Sequence, residues 1–148
     1  MTVQGPWRPL PHLDRLDTQP YWEAARRGRL VIQRCGQCRR WIWYPQRVCY
    51  SCRSSDLAWE EIGGAGTVYS FVVLRQALHP AFSDHLPLPV ALVELDEAPY
   101  VRITANVLGC PVEEISVGLE VEVCFEEISE DVTLPQFRPR GAARAEAG

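Results

Sequence analysis

Two Cys-x-x-Cys pairs separated by ten residues, Cys35-Gly36-Gln37-Cys38 and Cys49-Tyr50-Ser51-Cys52, constrain this chain more than any other feature. Such a pair turns two sulfurs toward one point, and the segment between the pairs must fold back as a hairpin to bring all four together. Zinc suits that donor set, taking four thiolates in a tetrahedron at about 2.3 Å. Four cysteines within 18 residues, in a chain read as intracellular, favour metal over disulfides. A four-thiolate site has no open position, so the Zn2+ expected on Cys35, Cys38, Cys49 and Cys52 is structural and cannot activate a substrate or water. Iron in a rubredoxin-like electron carrier would use the same ligands and would colour the protein. Cys110 and Cys124 lie outside the pattern and read as small buried hydrophobes.

Charge divides the chain. All 15 basic side chains are arginine, so a Schiff-base lysine is excluded and every cationic contact is a guanidinium. Residues 26–53 carry eight arginines and no acid, whereas residues 54–148 carry five arginines against sixteen acids, a balance of −11 within a net −4. No run approaches 18 uninterrupted apolar residues, and residues 1–13 hold prolines where a signal peptide needs an apolar stretch. The expectation is a cytoplasmic protein without a membrane segment.

The pattern predicts a mainly β protein. A proline-rich arm precedes one helix at 19–27, with capping oxygens at Asp17 and Thr18, Pro20 in the first turn, and Gly28 as the stop. Strands are expected at 30–34 and 41–44 around the cysteine pairs and at 57–62 leading out. Gly63, Gly64 and Gly66 read as a flexible turn and the domain junction. Five strands follow, at 67–74, 90–95, 100–106, 120–128 and 132–137, with a hairpin turn at 96–99 and a single helical turn at 111–115. That order suits a five-stranded OB-fold barrel, which places a helix between its third and fourth strands. The expected divisions are an arm and helix (1–28), a zinc ribbon (29–62), the barrel (63–139) and a disordered tail (140–148).

The arginine-rich ribbon reads either as an anion or partner site or as a solvated surface offsetting a tetrathiolate of charge about −2. Arg39, Arg40 and Arg47 are the candidate contacts, with Trp41 and Trp43, which a small ribbon can hardly bury unless they pack on the helix or on another protein. The loop 75–89 carries His79 and His85, but neither has a nucleophile or orienting acid beside it in sequence.

Tyr21-Trp22-Glu23-Ala24-Ala25, Gly28-Arg29-Leu30, the two cysteine pairs with Pro45 between them, Gly66-Thr67-Val68-Tyr69-Ser70, Val90-Ala91-Leu92-Val93-Glu94-Leu95 and the closing Thr133-Leu134-Pro135-Gln136-Phe137-Arg138-Pro139 together resemble one family. It is the acyl-CoA-associated OB-fold family with a rubredoxin-like zinc ribbon, domain of unknown function thirty-five. The resemblance implies a non-catalytic accessory subunit, part of a hetero-oligomer with a thiolase-superfamily enzyme: a thiolase, an acyltransferase or a steroid side-chain aldolase. The enzyme would supply the catalytic groups, and this chain would help form the CoA-ester site. The sequence departs from the family at Arg39 and Arg53, where glycine commonly follows each knuckle, and at Tyr50, where proline is common. Those glycines relieve a positive φ, so arginine there implies strain or an altered knuckle. A nucleic-acid module and an autonomous acyl-CoA hydrolase using a loop histidine are the other classes. The barrel's −11 charge opposes the first and the missing triad the second.

Overall fold

The computed structural model describes residues 8–141; the first residues of the expected arm and the expected tail beyond 141 lie outside it. Helix α1 (Gln19–Arg26) starts with Pro20 in its first turn, as expected, but Thr18 makes no side-chain cap. Asp17 instead meets Arg15 at 2.7 Å. Its end is a Schellman motif: Gly28, at φ 71, donates its N–H to Ala25, and the Arg29 N–H reaches back to Ala24. Tyr21 and Ala25 are buried on one face.

Strands β1 (Val31–Cys35), β2 (Trp41–Ile42) and β3 (Leu57–Glu61) form a three-stranded sheet in the order β2-β1-β3. β2 is shorter than expected, pairing only Trp41 and Ile42 with Arg34 and Gln33 before the chain leaves the sheet. Strands β4 (Ala65–Leu74), β5 (Leu88–Leu95), β6 (Ala98–Asn106), β7 (Glu120–Glu127) and β8 (Thr133–Pro139) make an antiparallel sheet in the order β6-β5-β4-β7-β8. β5 alternates strictly, burying Pro89, Ala91, Val93 and Leu95, as a strand with one core face must. A β-bulge in β4 between Val68 and Ser70 tightens the coil of the sheet. Its two edges meet at one parallel bridge, Val107 to Phe137, where the Leu108 N–H also reaches the Phe137 carbonyl at 2.7 Å. A 3-10 turn at Val112–Glu114 stands between β6 and β7, where an OB-fold places its helix. The sheet is a curled half-barrel.

The glycines expected to form a flexible junction are instead pinned. The Gly63 N–H donates to Glu97 at 2.9 Å, the Gly64 carbonyl accepts from the Val123 N–H, and the Gly66 carbonyl accepts from Arg140. At Gly66 a Cβ would lie 2.5 Å from the Glu94 carbonyl oxygen, so β4 can approach β5 here only without a side chain. One core crosses the junction: Leu30, Ile32, Trp41 and Ile62 pack in the same cluster as Val68, Val93, Val101 and Phe137. The outer part of the ribbon has only a small cluster of its own, Cys35, Ile42 and Cys49 with Leu57 against them.

Candidate metal centre and ribbon surface

The Sγ atoms of Cys35, Cys38, Cys49 and Cys52 all lie within 4.8 Å of one another. Cys35 and Cys52 are 3.5 Å apart and Cys38 and Cys49 3.6 Å, close to the ~3.8 Å edge of a tetrahedron with ~2.3 Å metal–sulfur bonds. The knuckle backbone supplies the local electrostatics. N–H groups of Gln37 and Ser51 point at the Cys35 and Cys49 sulfurs at 3.4 Å. Backbone N–H donation, from Cys38 first, holds the Cys35 thiol below its ordinary range, and the Cys52 and Ser51 N–H groups bring Cys49 to about 6. Cys52 goes the other way: the Ser54 N–H favours its thiolate, yet neighbouring Cys35 and burial push it up to about 11. Four thiolates this close repel one another, and a divalent cation is what lets all four ionise together. The donor set therefore fits one metal ion with no vacant position. Both residues flagged by sequence for strain carry it: Arg39 sits at φ 62 and Arg53 at φ 65, each donating its N–H to the first cysteine of its knuckle.

The five candidate surface residues serve different ends. Trp41 is 7% exposed; it belongs to the core and seats the Arg34 guanidinium 4.3 Å from its ring. Trp43 is half-buried, its ring 5.4 Å from Tyr21 of α1 and 5.1 Å from exposed Tyr44, and its Nε1 is buried without a hydrogen-bond partner among the described residues. Arg39 pairs with Glu60 at 3.0 Å. Arg40 donates through Nε to the Tyr50 hydroxyl at 2.9 Å and lies 4.3 Å over the Tyr100 ring. Tyr100 in turn accepts the Trp41 N–H at 3.0 Å, so a barrel strand holds the ribbon directly. Arg47 faces a cleft of about 570 Å³, together with Arg15, Asp17, Gln46 and Trp59.

Tyr100, Arg15, Gln46 and Trp59 carry no sequence signal for these roles: Tyr100 meets the ribbon across 59 positions of chain. In the long loop, the His79 Nδ1 accepts the Ala81 N–H at 3.1 Å and caps the 3-10 helix Pro80–His85. Among the described residues, no carboxylate forms an ion pair with His79 or His85. No described helix is long and apolar enough to cross a membrane.

Two family models match in tandem: the rubredoxin-like zinc ribbon domain of ChsH2 over residues 22–58 and the ChsH2 C-terminal OB-fold domain over residues 59–126. A probable enoyl-CoA hydratase alpha subunit of Thermomonospora curvata is 40% identical over 132 residues, which is 89% of this chain but 40% of that one. The chain thus spans well under half of that relative's length. A DUF35 domain-containing scaffold protein of Methanocaldococcus jannaschii is 31% identical over 121 residues, covering 80% of this chain and 82% of the relative. Among solved structures, a chain of the Ltp2-ChsH2(DUF35) aldolase superposes with a TM-score of 0.78 at 39% identity, covering 89% of this chain and 98% of that one. With a ribbon whose four cysteines converge, a curled OB sheet behind it and these matches across both, the chain belongs to the DUF35 family of zinc-ribbon and OB-fold proteins.

Proposed function

We propose that this chain is a non-catalytic accessory subunit, cytoplasmic and hetero-oligomeric, that binds a thiolase-superfamily acyl-CoA enzyme and helps form its CoA-ester site. The observation that carries this reading is the aldolase match, in which a chain covered over 98% of its length is named as one component beside Ltp2. The Methanocaldococcus relative is named a scaffold protein, and the Thermomonospora relative a probable enoyl-CoA hydratase alpha subunit. The match spans 98% of one chain and 40% of a longer one, which supports reading it as a module that joins other polypeptides.

The chain's own chemistry agrees with that role. Its four thiolates would hold a structural Zn2+, which supplies a cross-link and no reactive position. Neither loop histidine is paired for catalysis among the described residues. Exposed Arg47, with Arg40 and with Arg39 if it exchanges Glu60, offers guanidinium groups to the phosphates of CoA or to acids of the partner, while Trp43 lies half-buried against α1 and Trp41 seats Arg34. Affinity capture of the full zinc-loaded chain from native extract tests the reading. A stoichiometric thiolase-fold enzyme should be retained, and acyl-CoA turnover should require that enzyme. Recovery of the chain alone, or acyl-CoA hydrolysis by the isolated chain that disappears in His79→Ala, would reject it.

A further inference from the structure

The cleft at Arg47 has the makings of a ligand site rather than a gap between segments. Its walls come from the N-terminal segment at Arg15 and Asp17, the turn at Gln46 and Arg47, and β3 at Trp59. At about 570 Å³ it falls within the size range of small-molecule sites. The turn is held from beneath: buried Gln33 donates its amide N–H to the Gln46 carbonyl at 3.1 Å and accepts the Gln46 N–H at 2.8 Å. Both of its amide groups are thereby used, so Gln33 positions the turn and leaves recognition to the side chains above it.

Three unspent groups face the space. Arg15 is neutralised by a two-pronged contact with Asp17 at 3.1 and 2.7 Å, whereas Arg47 forms no ion pair with any described carboxylate. Two guanidinium groups thus share one carboxylate among the cleft's lining residues, leaving a net positive charge, with Arg47 the one not engaged in a short ion pair and suited to bidentate phosphate contacts. Trp59 packs against the core while also lining the cleft, and among the described residues no aromatic ring stacks on it and no guanidinium covers it. A partly exposed indole bordering such a cleft is a platform for a purine. The Gln46 side-chain amide offers a donor and an acceptor side by side, which matches the N6–H and N7 edge of adenine and mismatches the two acceptors of guanine.

We propose that this cleft binds an adenosine phosphate: the base stacks on Trp59, Gln46 reads its edge, and Arg47 holds the phosphate. Two sources share that chemistry, the adenosine 3′-phosphate end of CoA and a free adenine nucleotide. The first rests on the acyl-CoA reading above, and the second does not.

The full zinc-loaded chain, titrated by heteronuclear NMR with adenosine 3′,5′-bisphosphate, ATP, guanosine 3′,5′-bisphosphate and inorganic phosphate, tests the proposal. The bisphosphate avoids the thiol of CoA, which would compete for the metal. The Trp59 indole N–H and the Arg47 guanidinium should shift with the adenosine ligands. Arg47→Ala should raise Kd about tenfold or more, as expected for one lost charge-assisted contact. Trp59→Leu should abolish base-dependent binding while leaving a weak phosphate effect. Gln46→Leu should erase the preference for adenine over guanine, and Arg75→Ala should change nothing. Arg47 and Gln46 are exposed, and the dispersion of the remaining indole signals verifies that the variants fold.

Tighter binding of the bisphosphate than of ATP assigns the site to CoA, and the reverse order assigns it to a free nucleotide. An unmoved Trp59, an identical response to inorganic phosphate alone, or far tighter binding of a single-stranded oligonucleotide at these residues would overturn the proposal. The two readings fail separately: a chain that captures its enzyme but ignores adenosine phosphates sinks the cleft alone, and a chain that binds them but captures no enzyme sinks the subunit role alone.

Discussion

Replacing Arg53 by glycine should stabilise this protein, and replacing Arg39 should not, although both sit at the same place in equivalent knuckles. Arg39 and Arg53 have φ of 62 and 65, in the left-handed region. There a side chain's Cβ crowds the following carbonyl, at a cost of about 1 kcal/mol or somewhat more. Glycine removes that crowding but loses more chain freedom on folding, which returns about 0.5 kcal/mol or more to the unfolded state. Arg53 makes no side-chain contact among the hydrogen bonds and ion pairs of the described residues, so its net gain should be about 0.5 kcal/mol. Arg39 pairs with Glu60 at 3.0 Å, with side-chain exposures of 52% and 34%. A partly exposed pair of this kind contributes about 0.5 kcal/mol, which cancels the gain. Urea unfolding at fixed zinc concentration, read as the shift in midpoint at constant slope, measures both. Arg53→Gly should move the midpoint up and Arg39→Gly leave it in place; in a Glu60→Gln background the two should become equal. A fall in midpoint for Arg53→Gly, or equal shifts with Glu60 intact, would refute the reasoning.

Other perturbations bear on the metal, the helix and the ribbon–barrel contact. Elemental analysis should find one zinc per chain, and chelation or Cys49→Ser should speed amide exchange at Ile42 and Leu57 while Val93 and Val101 stay protected; uniform loss of protection would contradict separate anchoring of the outer ribbon. Lowering the pH should release the ion, because protons compete for the thiolates. Burial holds the Tyr21 hydroxyl well above its ordinary range, so above about pH 10 the unfolded chain ionises there and the folded one does not. Stability should therefore fall as pH rises past that point, and urea unfolding at pH 9 and 11 should show a smaller fall in Tyr21→Phe. Tyr100→Phe removes the acceptor of the Trp41 N–H and should cost about 1–3 kcal/mol in the same assay; an unchanged midpoint would mean that the contact contributes nothing.

Much of this fold was legible because it depends on short spacings. Cysteine pairs with two residues between them, Pro20 in the first turn of the helix, and Gly28 as its stop each write their geometry within a few positions. The positive φ at Arg39 and Arg53 was legible only through the family resemblance, which puts glycine after each knuckle where these arginines stand. The ribbon surface was not. Arg39, Arg40 and Arg47 look alike in sequence, yet one meets an acid on β3, one lies against Tyr50 and Tyr100, and one faces a cleft. Those differences arise from contacts many residues away, which local pattern does not record. Trp41 was ambiguous for a related reason. A tryptophan on a two-residue strand is core only because residues from the barrel complete the cluster around it.

The glycine-rich junction bears most directly on how such a chain could serve another protein. Gly63, Gly64 and Gly66 look like a hinge in sequence, and a hinge would let a basic ribbon and an acidic barrel reorient freely. Instead Glu97, Val123 and Arg140 hold their backbone groups, and Leu30, Ile32 and Ile62 carry the barrel's core into the ribbon's base. Tyr100 adds a third tie at Trp41. The eight arginines of residues 26–53 are thus fixed in direction relative to the acids that follow them. A fixed charge asymmetry orients an approaching partner, whereas a hinged one averages out. By the same logic an ion on the four thiolates would act beyond its ligands: closing the two knuckles would hold the outer ribbon on a base that is continuous with the barrel, so that the arginine-bearing surface keeps one shape.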